Sequence, residues 1–305
     1  MPSGILIIDK PAGWTSMDVC AKLRGVFHER RVGHSGTLDP MATGVLPIFI
    51  GRATRAVEFA EKSDKEYIAG LKLGVITNTQ DTSGEVLEER PVSVTREQLE
   101  GALERFRGDI LQIPPMFSAI KINGKKLYEL ARKGREVERP ARLVTIKALE
   151  LLDQQGEDLY TIRVRCTKGT YIRTLCHDIG QALGCGGCMA SLRRTEAAGF
   201  TLENAGPCGA SPLDQVLQME HPESLLLPVD YALRDLPEVV IRGRSVFQAR
   251  NGAPVPFEPP LDCTCTWSDG GLCRVYDGSS PQKEFLLVGR FTGKEIKTVK
   301  NFFEV

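Results

Sequence analysis

The chain has 305 residues, is 42% hydrophobic and 26% charged, and carries no formal net charge at pH 7. That balance allows a sizeable core and excludes wholesale basic attraction to nucleic acid or a membrane surface as its organising property. No apolar run approaches the ~20 residues of a membrane span, no basic segment leads into an apolar stretch and cleavage site at the start, and the nine cysteines are an odd number, so the expectation is a cytoplasmic protein with reduced thiols.

Gly4-Ile5-Leu6-Ile7-Ile8-Asp9-Lys10 reads as a short buried strand stopped by Pro11. Thr15 and Asp18 form a capping box, and Val19, Leu23, Val26 and Phe27 recur at helical spacing, so a helix with one apolar face follows. Residues 33–47 form a Gly-rich loop around a single carboxylate, Asp39, and run into the apolar stretch Val45 to Ile50. Pro40 pushes Asp39 toward extended backbone, and Gly33, Gly36 and Gly44 permit tight or left-handed geometry. Such a loop presents one side chain; taken alone, Asp-Pro is also an ordinary turn initiator. Tyr67 to Val75 is rich in strand formers, and a second helix is expected near Thr95 and Gln98, carrying Leu99, Leu103 and Phe106.

From Lys121 to Lys147 the chain has a local excess of six positive charges, which suits a phosphate backbone or, more simply, a solvated helix face. Tyr160, Ile162, Val164 and Cys166 alternate with polar residues as a half-buried strand. A helix from Tyr171 follows, with Ile172, Leu175, Ile179 and Leu183 on one face and Arg173 in the first turn, pointing away from it and free to reach a neighbouring loop. Past Asp230 the texture changes to strand-like pieces at Glu238 to Ile241, Leu272 to Tyr276, Glu284 to Arg290 and Val299 to Val305, a small β domain. Cys185 and Cys188 form a lone CxxC that Cys263, Cys265 and Cys273 could extend toward zinc, but a second regular pair is missing, so no metal is expected. Neither GxxxxGK[ST] nor a GxGxxG opening a helix is present, which argues against a nucleotide-binding enzyme.

Asp9-Lys10-Pro11, the Asp39 loop, Lys65-Glu66-Tyr67, residues 114–121 with Gly124 and Leu127-Tyr128, Gly169 to Leu175, Ser191-Leu192-Arg193-Arg194, and Leu226 to Asp230 occur in one order. Together they resemble the bacterial tRNA pseudouridine synthases of the TruB type over nearly the whole chain. Phe117 stands where that family usually has Tyr, and residues 261–273 are not a family signature.

The resemblance implies an α+β fold: a catalytic domain over residues 1–232 with a mostly antiparallel central sheet, an RNA-binding thumb at about 113–142, and a PUA-like C-terminal RNA-binding domain over 233–305. It implies isomerisation of the uridine at position 55 in the tRNA T loop, without cofactor, guide RNA or metal, by a monomer. Asp39, Arg173 and Tyr67 are the implied catalytic group: Asp39 ionised beside Arg173, acting at the ribose as nucleophile or base, and Tyr67 stacking on uracil. His34, Tyr171, Leu192 and Lys10 are the implied substrate-binding residues, His34 aiding base flipping, Leu192 walling the pocket, and Lys10 supporting the loop or touching RNA. Lys121, Lys125, Lys126 and Arg132 are the RNA-backbone candidates. Two rival readings are a non-catalytic RNA-binding protein and a guide-RNA-dependent relative.

Overall fold

The computed structural model describes residues 2–122, 124–205, 209–258 and 268–303. Strand β1 (Gly4–Lys10) pairs antiparallel with β3 (Thr43–Ile50), from Gly4 opposite Ile50 to Lys10 opposite Gly44. Ile5–Ile8 of β1 and Val45–Ile50 of β3 are apolar without interruption because both faces of these strands are covered. Leu6, Ile8, Leu46, Ile48 and Ile50 enter one core cluster, whereas Ile5, Ile7, Val45 and Phe49 enter another on the opposite side.

These strands belong to a ten-stranded sheet completed by β2 (Val32–His34), β4 (Lys65–Leu73), β5 (Gly108–Gln112), β6 (Arg142–Gln155), β7 (Leu159–Cys166), β8 (Gly187–Ala197), β9 (Phe200–Thr201) and β10 (Ser211–Pro212). The order is β10-β1-β3-β8-β4-β7-β6-β5, with β2 on β3 and β9 on β8. Only β10 on β1 and β8 on β3 run parallel, so the sheet is mostly antiparallel, as expected.

Helices α1 (Ser16–Val26), α2 (Arg96–Glu104) and α3 (Ile172–Ala182) pack on it. The expected capping box forms at α1, where the Thr15 hydroxyl accepts from the Asp18 amide, and α2 begins with one too, the Thr95 hydroxyl accepting from the Gln98 amide. Boundaries shift where local chemistry overrides the pattern. Phe106 lies past the end of α2, Tyr171 is the N-cap of α3 instead of its first turn, and the strand expected to reach Val75 ends at Leu73 before Gly74, at φ +81.

The second sheet contains β11 (Glu238–Ile241), β12 (Val255–Pro256), β13 (Leu272–Asp277), β14 (Glu284–Phe291) and β15 (Glu295–Asn301), in the order β11-β13-β14-β15-β12. Its last strand begins at Glu295, not Val299, because pairing of Phe291 with Ile296 across a tight turn sets the register. Val288 and Phe302 of this unit share a core cluster with Ile5 and Ile7. Cys185 and Cys188 are buried at the head of β8, and Cys263 and Cys265 lie outside the described residues. No helix among the described residues is long and apolar enough to cross a membrane.

Candidate active site

The Asp39 loop is pinned from several sides. Gly44 has φ +101, and a Cβ there would sit 2.2 Å from the carbonyl oxygen of Arg194, so β3 approaches β8 closely only without a side chain at this position. Gly36 is also left-handed, whereas Gly33 takes ordinary strand geometry within β2, correcting the expectation for that glycine. Ser16 couples α1 to the loop, its hydroxyl accepting from the Leu38 amide at 2.9 Å.

Lys10 is fully buried under the same loop and donates to the carbonyls of Pro11, Trp14 and Pro40 at 2.8, 2.7 and 3.3 Å. All three ammonium protons are thereby used, so the side chain braces the turn and has no surface to offer RNA. Burial lowers its pKa to about 8, although the nearby Asp39 charge acts the other way.

Arg173 enters from the first turn of α3 and is buried, its side chain only 7% exposed. Its Nε lies 3.0 Å from Asp39 Oδ2, and Nη2 donates to Asp39 Oδ1 at 3.3 Å, a two-point grip on the carboxylate. Nη2 also donates to the Phe117 carbonyl at 2.9 Å, and Nη1 to the Thr79 carbonyl at 3.1 Å. Nη1 further lies 3.5 Å from Asp81 Oδ2. Three hydrogen bonds, to Thr79, Asp39 and Phe117, and ion pairs with two carboxylates therefore hold the guanidinium from several sides.

Asp81 was missed by sequence reasoning. Thr79-Gln80-Asp81-Thr82-Ser83-Gly84 reads as a polar turn, and it is one: Asp81 Oδ1 accepts from the Ser83 amide at 3.0 Å and the Thr79 hydroxyl at 2.8 Å. The turn docks on β8, where the Met189 amide donates to the Gln80 carbonyl at 3.0 Å, and this aims the buried Asp81 at Arg173. Gln112 was missed too. Its side-chain amide accepts from the Tyr171 N–H at 2.7 Å and donates to the Tyr171 carbonyl at 3.0 Å, which fixes the start of α3 and so the entry angle of Arg173.

Asp39 keeps about a third of its side chain exposed, the opening through which a substrate can reach it. Burial raises its pKa above the ordinary carboxylate value, Arg173 opposes the shift, and the like charge of Asp81 adds to it. The arginine thus limits the rise and does not reverse it, in contrast to the simple stabilisation expected from the pairing.

Tyr67 is buried on β4 directly across from Arg194 of β8, and burial raises the pKa of its phenol. Leu192 is buried two residues earlier on β8, opposite Ala69 and on the same sheet face as Tyr67. His34 ends β2, and burial followed by the Arg194 charge lowers its pKa, holding the ring neutral near pH 7.

The basic segment folds as a two-stranded hairpin, Lys121–Ile122 with Lys125–Lys126, running into a short helix over Leu127–Ala131, not as one long helix face. Lys121, Lys125 and Arg132 are exposed. Tyr128 carries the Lys126 ammonium 5.3 Å and the Arg132 guanidinium 5.4 Å from its ring centre. The Phe117 carbonyl on Arg173 ties the approach to this segment to the site whatever side chain residue 117 bears.

Solved structures share this architecture. The chain in the crystal structure of a Cbf5-Nop10-Gar1 complex is 26% identical, with a TM-score of 0.75 over 98% of this chain and 85% of that one. A chain in an archaeal box H/ACA sRNP Nop10-Cbf5 complex is 25% identical, with a TM-score of 0.71 over 99% and 86%. This is the fold of the pseudouridine synthases, an α+β sheet with a separate C-terminal β unit. Residues 24–172 match the model for the N-terminal domain of the TruB family of pseudouridylate synthases, and residues 173–234 match the C-terminal domain of tRNA pseudouridylate synthase B. Relatives named tRNA pseudouridine synthase B are 47% identical in Stutzerimonas stutzeri, covering 95% of this chain and 90% of the relative, and 49% identical in Dechloromonas aromatica, covering 90% and 87%. The chain belongs to the TruB family of tRNA pseudouridine synthases.

Proposed function

We propose that the protein converts uridine to pseudouridine at position 55 in the T loop of tRNA, as an isolated chain in the cytoplasm without guide RNA, partner protein or cofactor. The observation that carries the reading is the two-point grip of buried Arg173 on a partly open Asp39. The target base must leave its stack to reach such a site, and the positive Lys121–Arg132 segment supplies phosphate contacts that hold the arm while it does so.

Asp39 acts at the ribose of the flipped nucleotide, as nucleophile or base. The C1′–N1 bond breaks, uracil rotates between Tyr67 and Leu192, and a C1′–C5 bond forms while the C5 proton is transferred and N1 gains one. Reactant and product have the same atoms, so no redox or group donor enters. Lys10 braces the loop, Tyr171 begins the helix that aims Arg173, and His34 fills space beside the displaced base. Residues 233–305 act as a PUA-like extension of the RNA surface.

Pseudouridine mapping on an unmodified tRNA transcript, with the purified chain alone, tests this reading. Modification confined to the T-loop uridine, and abolished by Asp39→Ala with tRNA binding retained, is the expected result. Binding without modification by the wild type would favour an RNA-binding protein or an enzyme that needs a guide complex.

A further inference from the structure

The turn Thr79-Gln80-Asp81 brings two acceptors to one nitrogen. The Thr79 carbonyl accepts from Arg173 Nη1 at 3.1 Å, and Asp81 Oδ2 lies 3.5 Å from the same atom. Between them Gln80 has φ +64, a left-handed backbone that residues other than glycine rarely adopt. Two further non-glycine residues share that region among the described residues, and each has a local reason. His28 directly follows the C-cap of α1, and Ala198 with Gly199 makes the two-residue turn joining β8 to β9. Gln80 sits at neither kind of place, in the longer loop between residues 77 and 86, and it is held there by distant parts of the fold. Its carbonyl accepts from the Met189 amide of β8 at 3.0 Å, and its side-chain oxygen accepts from the Thr174 hydroxyl at 2.8 Å. Thr174 is buried and directly follows Arg173 on α3. So sparse a conformation persists only where its surroundings over-determine it. Helix α3 meets the turn with two consecutive residues: Arg173 takes up the two acceptors, and Thr174 holds the residue between them.

We infer that Gln80, latched by Thr174, is a positioning residue for the isomerisation, acting through Arg173: the left-handed turn it holds keeps the Thr79 carbonyl and the Asp81 carboxylate on one guanidinium nitrogen, and so fixes the orientation in which Arg173 grips Asp39. A change of φ at residue 80 rotates everything before it relative to everything after it, so the two acceptors cannot both stay on Nη1. The latch joins a hydroxyl to a neutral amide, and it adds order beside Asp39, Arg173 and Asp81 without altering the balance of charge among them. The inference rests on the roles of Asp39 and Arg173 proposed above.

A comparison of Gln80→Ala with Gln80→Gly on the full chain tests it, read as single-turnover pseudouridine formation and, separately, as the Kd for tRNA. Both substitutions remove the latch, but only glycine takes the left-handed backbone at little cost. The rate should fall about 10- to 100-fold for Gln80→Ala, the range for hydrogen bonds lost to a charged group, and less than about fivefold for Gln80→Gly, with Kd within about threefold for both. Thr174→Val keeps the shape of the side chain and loses the hydroxyl, so it should slow the reaction by about fivefold or more at unchanged Kd, whereas Thr174→Ser should stay within about twofold of the wild type. Equal rates for the alanine and glycine variants, a Kd that weakens in step with the rate, or Thr174→Ser as slow as Thr174→Val would overturn the inference. If Gln80→Ala does not fold by circular dichroism, the Thr174 pair decides. Retention of the full rate by Asp39→Ala would instead overturn the underlying assignment of the site, a separate result from any gap between the alanine and glycine variants.

Discussion

Arg173 and Arg132 bring the same guanidinium into opposite surroundings. Arg173 is buried, hydrogen-bonded to Asp39, Thr79 and Phe117 and paired with two carboxylates on separate loops, whereas Arg132 is exposed with the Tyr128 ring 5.4 Å away. Under the proposed function the first arrangement fixes an orientation that a chemical step needs, and the second leaves charge free to meet phosphates whose positions the protein does not dictate. Substitutions in the two regions should therefore separate, the buried one changing rate and the exposed one changing affinity.

The largest test of that separation is Asp39→Asn. Its single-turnover rate should fall ~1000-fold or more, as expected when the essential acid–base or nucleophilic group is lost, with tRNA affinity nearly unchanged. In the wild type, the rate should decline on acidification through a pKa above the usual carboxylate value, because burial raises Asp39 and only its ionised form reacts. A rate profile flat down to the ordinary carboxylate range would contradict this environment for Asp39.

Asp81→Asn comes next. Arg173 would lose a charged acceptor but keep Asp39 and two carbonyls, so kcat should drop about 10- to 100-fold at unchanged Kd. A matching loss of affinity would move Asp81 into the RNA-binding group. On the exposed side, replacing Lys125, Lys126 and Arg132 together by alanine should weaken tRNA binding and flatten the slope of log K against log salt by roughly 2 to 3, while the rate at saturating tRNA holds within about threefold. Filter binding across salt concentrations measures both.

The smallest effect is on stability. Burial raises Asp178, on α3, to about 6, above its unfolded value of 3.8. The folded state therefore binds the proton more tightly, and stability is lost as pH rises between these two values. Asp178→Asn should thus stabilise the protein at pH 8 by about 1 kcal/mol after allowance for partial exposure, with the gain vanishing near pH 4. Denaturant melts at the two pH values decide it.

The sequence made the outer features legible because they rest on local chemistry. The capping box at Thr15, the helix start near Thr95, the apolar run of β1 and the alternating β7 follow from residues within a few positions of each other. The Asp39 loop and the Arg173 motif could be paired only through family resemblance, since their 134-residue separation carries no periodic signal. Asp81 and Gln112 escaped for another reason. Each looks like an ordinary turn or strand residue, and only long-range docking reveals that Gln112 grips Tyr171 or that Asp81 faces Arg173. In the tail, strand existence was readable but the final register was not, because a tight turn at residues 292–295 sets it.

The core cluster common to β1 and the second sheet also has a consequence in time. Ile5 and Ile7 leave the ribosome well before Val288 and Phe302, which close the cluster they enter, and Arg55 donates to the Asn301 carbonyl at 2.9 Å across the same seam. One face of β1 therefore stays incompletely covered until residues 288–302 have been made. The nascent chain must be kept from aggregating through that face until residue 302 emerges, so a nascent-chain chaperone should bind stalled chains that end short of it and release those that pass it.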